Sequence, residues 1–154
     1  MPNTYSQIYL HIVIVVSHRQ NHINPSWEVA LFKYIRGITE KCGQKLLAIN
    51  GVPDHVHILL SIDPDCTLSS LMRDIKANSS RWVNENKLVT GQFRWQTGFG
   101  AFALSRFELS RVRQYIAGQK QHHAKTKFRE EYIRLLQENG IAYDERYIFE
   151  DNGS

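Results

Sequence analysis

No apolar run in the chain approaches the length of a membrane span, and the N-terminus lacks the basic-then-apolar pattern of a secretory leader. The chain is therefore expected in the cytoplasm, with no membrane partner. Cysteine is scarce: Cys42 and Cys66 are the only two, with no metal-ligand spacing between them, and in a reducing compartment both read as plain thiols. Blocks of like charge and low-complexity segments are also missing. What remains is an ordinary globular composition of 154 residues, 42% hydrophobic and 22% charged, which fits one domain with a real core. The net charge of +4 favours an anionic partner. Basic residues gather from Arg73 onward among many aromatics, and basic grooves with aromatic platforms hold single-stranded nucleic acid, although any one aromatic is more often core.

Along the chain, Tyr9 to Val16 is apolar and β-branched, as in a central strand, with His11 its one polar interruption. A polar loop, Ser17 to Ile23, leads to Asn24-Pro25, a helix start with Asn as cap and Pro in the first turn. Trp27, Leu31, Ile35 and Ile38 then share one helical stripe, which ends at Gly43. Lys45 to Asn50 reads as a second strand, and Gly51-Val52-Pro53 is a tight connection into a third, forming a hairpin. Thr67 opens a second helix through Leu71, Met72, Ile75 and Val83, and Phe99 to Ser105 reads as a fourth strand. Strand, helix, strand, strand, helix, strand is the ferredoxin-like, split βαβ order: an α+β fold with an antiparallel sheet and its first and third strands central. Helices over Glu108 to His123 and Phe128 to Asn139 remain to meet the second face of that sheet. The expected divisions are a sheet core over 5–105, a helix over 108–123, and a C-terminal helix and tail over 127–154.

The third strand carries Asp54-His55-Val56-His57-Ile58-Leu59-Leu60. In an extended chain alternate side chains share a face, so His55 and His57 point one way while Val56, Ile58 and Leu60 enter a core. Two imidazoles about 7 Å apart on a rigid strand can supply two ligands to one cation. On spacing alone, hydrogen-bonded histidines in a half-buried strand are the commoner explanation of His-x-His. The 108–123 helix changes that balance, because Arg111, Tyr115, Gln119 and His122 form a polar stripe beside the apolar Leu109, Val112 and Ile116. A tyrosine there can act as a nucleophile, and Gln119, one turn on, can offer a carbonyl oxygen to a cation.

Several motifs in order carry a wider likeness. They are Pro53-Asp54-His55-Val56-His57, Trp95-Gln96-Thr97-Gly98-Phe99-Gly100, Tyr115-Ile116-Ala117-Gly118-Gln119 with His122-His123 following, the Tyr9 to Arg19 stretch, and the closing Gly140 to Tyr147. In these the chain resembles the IS200/IS605-like transposases, single-tyrosine enzymes of the HUH group. Gly118 departs from the pattern, since many relatives carry Asn there; a glycine inside a helix costs about 1 kcal/mol relative to Ala. The resemblance implies a divalent cation, Mg²⁺ or Mn²⁺, held by His55, His57 and Gln119, with Tyr115 as the nucleophile. It implies cleavage and strand transfer of single-stranded DNA, recognised through hairpin ends, by way of a 5′-phosphotyrosine. It also implies a homodimer in which the tyrosine helix of one subunit completes the histidine site of the other, acting in a bacterial or archaeal cytoplasm, at the nucleoid. Arg73, Lys76, Arg81 and Arg94 are candidates for DNA contact, and His11, Asp54 and His122 for supporting the ligands from behind. A domesticated, repeat-associated relative is one alternative. A non-catalytic RNA-recognition-like module is another, but the chain has no RNP pattern on its central strands. A histidine-triad phosphohydrolase would need a further alternating histidine where Leu59 stands.

Overall fold

The computed structural model describes residues 3–19 and 22–150. Residues 20–21 of the loop expected over Ser17 to Ile23, and residues 151–154 of the expected tail, lie outside them. The apolar run forms β1 (Ile8–Val15). Asn24 then caps α1 (Pro25–Lys41), its side chain accepting from the Ser26 amide at 2.8 Å. β2 (Lys45–Val52) and β3 (His55–Ile62) form the expected hairpin, with Asn50 opposite His57 and Val52 opposite His55. α2 (Leu68–Glu85) and β4 (Gly100–Leu104) complete the six-element core. The strands are antiparallel in the order β2-β3-β1-β4, so the histidine strand is central beside β1 and β4 is an edge.

Strand alternation divides the molecule into layers. Ile12, Ile14, Val56, Ile58 and Leu60 pack with Leu31 and Ile35 of α1 and Leu71, Met72 and Ile75 of α2. The opposite face is covered by three further helices, α3 (Leu109–Ala117), α4 (Gln119–His123) and α5 (Phe128–Glu138). There Leu59 meets Val112 and Ile116 of α3, while Val13, Val15 and Phe102 meet Phe128, Tyr132, Leu135 and Leu136 of α5. Phe149 enters the same cluster, and its approach is held by Gln96, whose amide donates to the Ile148 carbonyl and accepts from the Glu150 amide. No helix among the described residues is long and apolar enough to cross a membrane.

One expectation is corrected. The helix expected to run unbroken from Glu108 to His123 is interrupted at Gly118, whose φ of −91° and ψ of 13° leave the helical region. The cause lies in β2: Asn50 Nδ2 donates to the carbonyls of Ile116 and Ala117 at 3.0 and 3.1 Å, satisfying acceptors exposed at the end of α3. Lys120, just beyond the break, reaches back to Asn50 Oδ1 at 2.9 Å and to Glu28 of α1 at 2.9 Å.

Candidate active site

His55 and His57 are both fully buried on the face of β3 that α4 and α5 cover. Each ring is held from behind by its Nδ1. Asp54 Oδ1 accepts from His55 Nδ1 at 2.7 Å, and His57 Nδ1 shares a hydrogen bond with His11 Nε2 at 2.7 Å. His11 reaches this position because it lies on the same face of β1, where its backbone partner is Leu59. Phe128 stacks flat on His55, with ring centroids 3.5 Å apart, which fixes that imidazole further. The Nε2 atoms of both rings point inward, buried and without a hydrogen-bond partner, and the Oε1 atom of fully buried Gln119 is in the same condition.

Glu131 is the group these atoms surround. It is fully buried on α5, with Oε1 at 3.5 Å from His55 Nε2, 3.4 Å from His57 Nε2 and 2.9 Å from His123 Nε2. Its Oε2 accepts from Gln119 Nε2 at 3.0 Å and from the Tyr115 hydroxyl, and lies 3.4 Å from His122 Nε2. One carboxylate thus joins the tyrosine to the histidine pair. Ligand atoms of His55, His57, His123 and Glu131 all lie within 4.8 Å of one another, a group that could bind a metal. Buried, unpartnered nitrogens facing a carboxylate are the donor set that a divalent cation needs.

The electrostatics follow from burial and from that carboxylate. Burial pushes the Glu131 carboxyl up, but the facing imidazoles of His123, His55 and His57 outweigh it and hold the group below the usual carboxylate range. Burial would lower His55 as well, yet Asp54 and Glu131 together raise it. His57 is lowered to about 4 by burial, despite Glu131, and His11 to about 3 by burial and the neighbouring His57. His122 is lowered by burial. Burial, then the contact with Glu131, raises the Tyr115 phenol above its ordinary value, so it holds its proton firmly in this arrangement.

Tyr115 lies against the histidines of its own chain, with ring centroids 5.8 Å from His57 and 5.9 Å from His11. Beside it a cavity of about 250 Å³ opens between α3, α5 and β4, lined by His11, Phe102, Val112 and Leu135 with Arg111 and Arg134. The structure thus gathers Tyr115, His55, His57, Gln119, His11, Asp54 and His122 into one place. It does not bring the four basic candidates there. Arg73, Lys76 and Arg81 belong to α2, on the opposite layer, and Arg94 lies in the connection to β4. Exposed Arg73 meets Ser70 Oγ at 3.5 Å, and Arg81 pairs with Asn78. Lys76 clamps a loop, donating to the Gln96 and Gly98 carbonyls at 2.6 and 2.7 Å, and Arg94 donates to Ser17 Oγ at 3.1 Å. Sequence reasoning missed Glu131 and His123. A signal for Glu131 was present, because it sits inside the apolar stripe of Phe128, Tyr132 and Leu135, where a lone carboxylate has no reason to be without a buried partner.

Comparison with known proteins finds relatives among transposases. A family model described as "Transposase IS200 like" matches residues 4–119. The ISDra2 transposase TnpA of Deinococcus radiodurans is 22% identical over 118 residues, covering 73% of this chain and 84% of that protein. A crystal structure of a transposase from Deinococcus radiodurans R1 superposes with a TM-score of 0.63 at 21% identity, over 76% of this chain and 94% of that one. The REP-associated tyrosine transposase bound to a REP hairpin superposes with a TM-score of 0.62 at 17% identity, over 99% of this chain and 95% of that one. At these identities the solved structures establish the fold.

Proposed function

Because the chain belongs to the IS200-like transposase family, we propose that it is a single-strand DNA endonuclease and transesterase, with Tyr115 as the nucleophile. The observation that carries this reading is the approach of Tyr115 to His57, 5.8 Å between ring centroids, beside two buried imidazole nitrogens without hydrogen-bond partners. His55 and His57, with Gln119 through its unpartnered Oε1, would hold a divalent cation, Mg²⁺ or Mn²⁺. When bound, such a cation polarises a non-bridging oxygen of the scissile phosphate and takes up charge as it develops.

The chain's own residues supply the rest. Asp54 and His11 hold the two imidazoles in place from behind. Tyr115 attacks phosphorus once its hydroxyl proton has passed to water: the phenolic oxygen forms the new P–O bond, the P–O3′ bond breaks, and the departing oxygen takes a proton back from water to become a 3′-hydroxyl. The product is a 5′-phosphotyrosine. Phosphodiester energy stays in that link, so a second 3′-hydroxyl can reverse the step and join a new strand without ATP. The cavity beside Tyr115, with Arg111 and Arg134 on its wall, offers the strand a way in.

The proposed substrate is single-stranded DNA carrying a hairpin, as in the solved relative bound to a REP hairpin. The proposed activity is that of an IS200/IS605-type transposase, with the repeat-associated, domesticated relative as its alternative, since a solved structure of each kind shares the fold. We further propose that residues 1–154 act as one unit in the cytoplasm, at the nucleoid, and that two chains pair. The free edge of β4 is a natural place for pairing. Arg73, Arg81 and Arg94 remain proposed DNA contacts away from the reacting centre, while the Lys76 ammonium is engaged by the loop.

Incubation with hairpin-bearing single-stranded DNA and Mn²⁺ or Mg²⁺ should yield a denaturant-resistant protein–DNA adduct, lost in Tyr115→Phe. An adduct that persists in Tyr115→Phe would remove the nucleophile assignment, and binding without any adduct would favour the non-catalytic module. Mixing His57→Ala with Tyr115→Phe chains reports whether helices are exchanged, since only a site built from both chains restores cleavage.

A further inference from the structure

We infer that Glu131 and His123 complete the cation site begun by His55 and His57, and that this centre of three imidazoles and one carboxylate takes Mn²⁺, Co²⁺ or Zn²⁺ in preference to Mg²⁺. The inference deepens the proposed function and rests on its reading of the histidine pair.

Three observations carry it. First, the four ligand atoms lie within 4.8 Å of one another, and Glu131 Oε1 is their common vertex, at 3.5, 3.4 and 2.9 Å from the three Nε2 atoms. A cation about 2.1 Å from each donor separates neighbouring donors by roughly 3.0 Å in octahedral and 3.4 Å in tetrahedral geometry. The three spacings about Glu131 Oε1 match those of neighbouring ligands around one centre. Second, all three imidazoles are anchored in the same way. His55 is held through Nδ1 by Asp54, His57 by His11, and His123 by the Thr126 carbonyl at 3.0 Å. At His55 and His123 the partner can only accept, which puts a proton on Nδ1 and turns Nε2 inward, as in histidines that bind metals, and His11 holds the His57 ring with its Nε2 inward as well. His123 shares this anchoring although it comes from a different element. Third, a purely structural network would leave its buried nitrogens bonded, whereas His55 Nε2 and His57 Nε2 have no hydrogen-bond partner.

The donor chemistry then sets the cation class. Mg²⁺ favours oxygen ligands in near-ideal octahedral order and keeps several waters, whereas three nitrogen donors suit borderline transition metals. Glu131 supplies the ligand oxygen through Oε1 and keeps Gln119 and Tyr115 on Oε2. It thereby places the nucleophile at a set position relative to the cation.

The test is direct titration of the full chain, freed of metal by chelation, with Co²⁺ followed by its visible absorption, and competition by Mn²⁺, Zn²⁺ and Mg²⁺. Wild type should bind Co²⁺, lose it to Zn²⁺, and retain it in millimolar Mg²⁺. Glu131→Gln and His123→Asn should each weaken Co²⁺ binding about tenfold or more. If both bind as wild type while His57→Asn does not, the inference is overturned and the histidine-pair reading stands. If wild type binds no Co²⁺, or His57→Asn binds it equally well, that reading falls too. Should the variants fail to fold, X-ray absorption on the Zn²⁺-loaded wild type decides: three imidazoles support the inference and two overturn it.

Discussion

Removal of the Glu131 side chain in Glu131→Ala should destabilise the metal-free chain by about 3 kcal/mol, near the lower end of what breaking a buried ion pair from one side costs. The figure can be built from the contacts. Gln119 is fully buried and donates to Glu131 Oε2; without that acceptor its amide is stranded, at about 1–3 kcal/mol. Tyr115 and His123 also lose an acceptor, but both side chains reach partly to solvent and can recruit water, so each contributes about 0.5–1 kcal/mol. Deleting the carboxylate also leaves a void beneath α5 and removes a favourable partner of His55. Against these losses stands relief of the carboxylate's own desolvation, which keeps the total near 3 kcal/mol. For a chain of this size that lowers Tm by roughly 6–12 °C. Urea unfolding in chelator, followed by tryptophan fluorescence, measures it. A change below about 1 kcal/mol would mean that the network around Glu131 is not held together by its carboxylate, and the reasoning would fail.

Acid should also weaken the fold. His57 and His11, lowered to about 4 and about 3 by burial, are neutral when folded, whereas unfolded imidazoles take up protons below about 6.5. The unfolded chain therefore binds more protons between pH 6.5 and 4, and stability falls as pH drops through that window, by about 2 kcal/mol between pH 7 and pH 5 if the hydrogen-bonded pair counts as one group. Raised His55 acts above that window, and lowered Glu131 below the ordinary carboxylate range, so unfolding free energies equal at pH 7 and pH 5 would contradict the assignment. Gly51→Ala should cost about 3 kcal/mol or more by thermal unfolding, because its Cβ would lie 2.4 Å from the His55 carbonyl oxygen and force the hairpin open. Gly118→Ala meets only the Gln114 and Tyr115 carbonyl oxygens, at 3.4 and 3.8 Å, so it should stabilise the chain by up to about 1 kcal/mol; a loss of stability would show that the break needs glycine.

Much of the fold was legible because strand alternation and helical periodicity act locally. The direction of His55 and His57 follows from period two, the start of α1 from Asn24-Pro25, and the buried face of α5 from Phe128, Tyr132, Leu135 and Leu136. What escaped depended on partners distant in sequence. Periodicity continues through Gly118, and the interruption there comes from Asn50, 66 residues before Ile116. Lys76 reads from sequence as a free cation on a polar face, yet the loop carbonyls of Gln96 and Gly98 occupy it. Glu131 was visible as an anomaly in an apolar stripe, but nothing local identifies the histidines as what it meets.

The same contacts bear on how a second chain could share the site. α3 and α4 are joined to β2 and α1 of their own chain by Asn50 at the Ile116 and Ala117 carbonyls, by Lys120 at Asn50 and Glu28, and by Arg113 at the Leu47 carbonyl. Val112 and Ile116 add an apolar seat on Leu59. Most of these polar links are exposed or half-exposed, the kind that individually contribute least and exchange most readily with water. The apolar seat is small, and it would be re-formed by an identical helix from a partner. Glu131 differs, since it is fully buried and comes from α5, beyond the break and its following turn. If α3 and α4 changed chains while α5 stayed, Glu131 would remain with its own His55 and His57 and receive a new Tyr115, Gln119 and His123. The cation site would then be built from both chains, with His55, His57 and Glu131 on one side and His123 arriving with the nucleophile on the other.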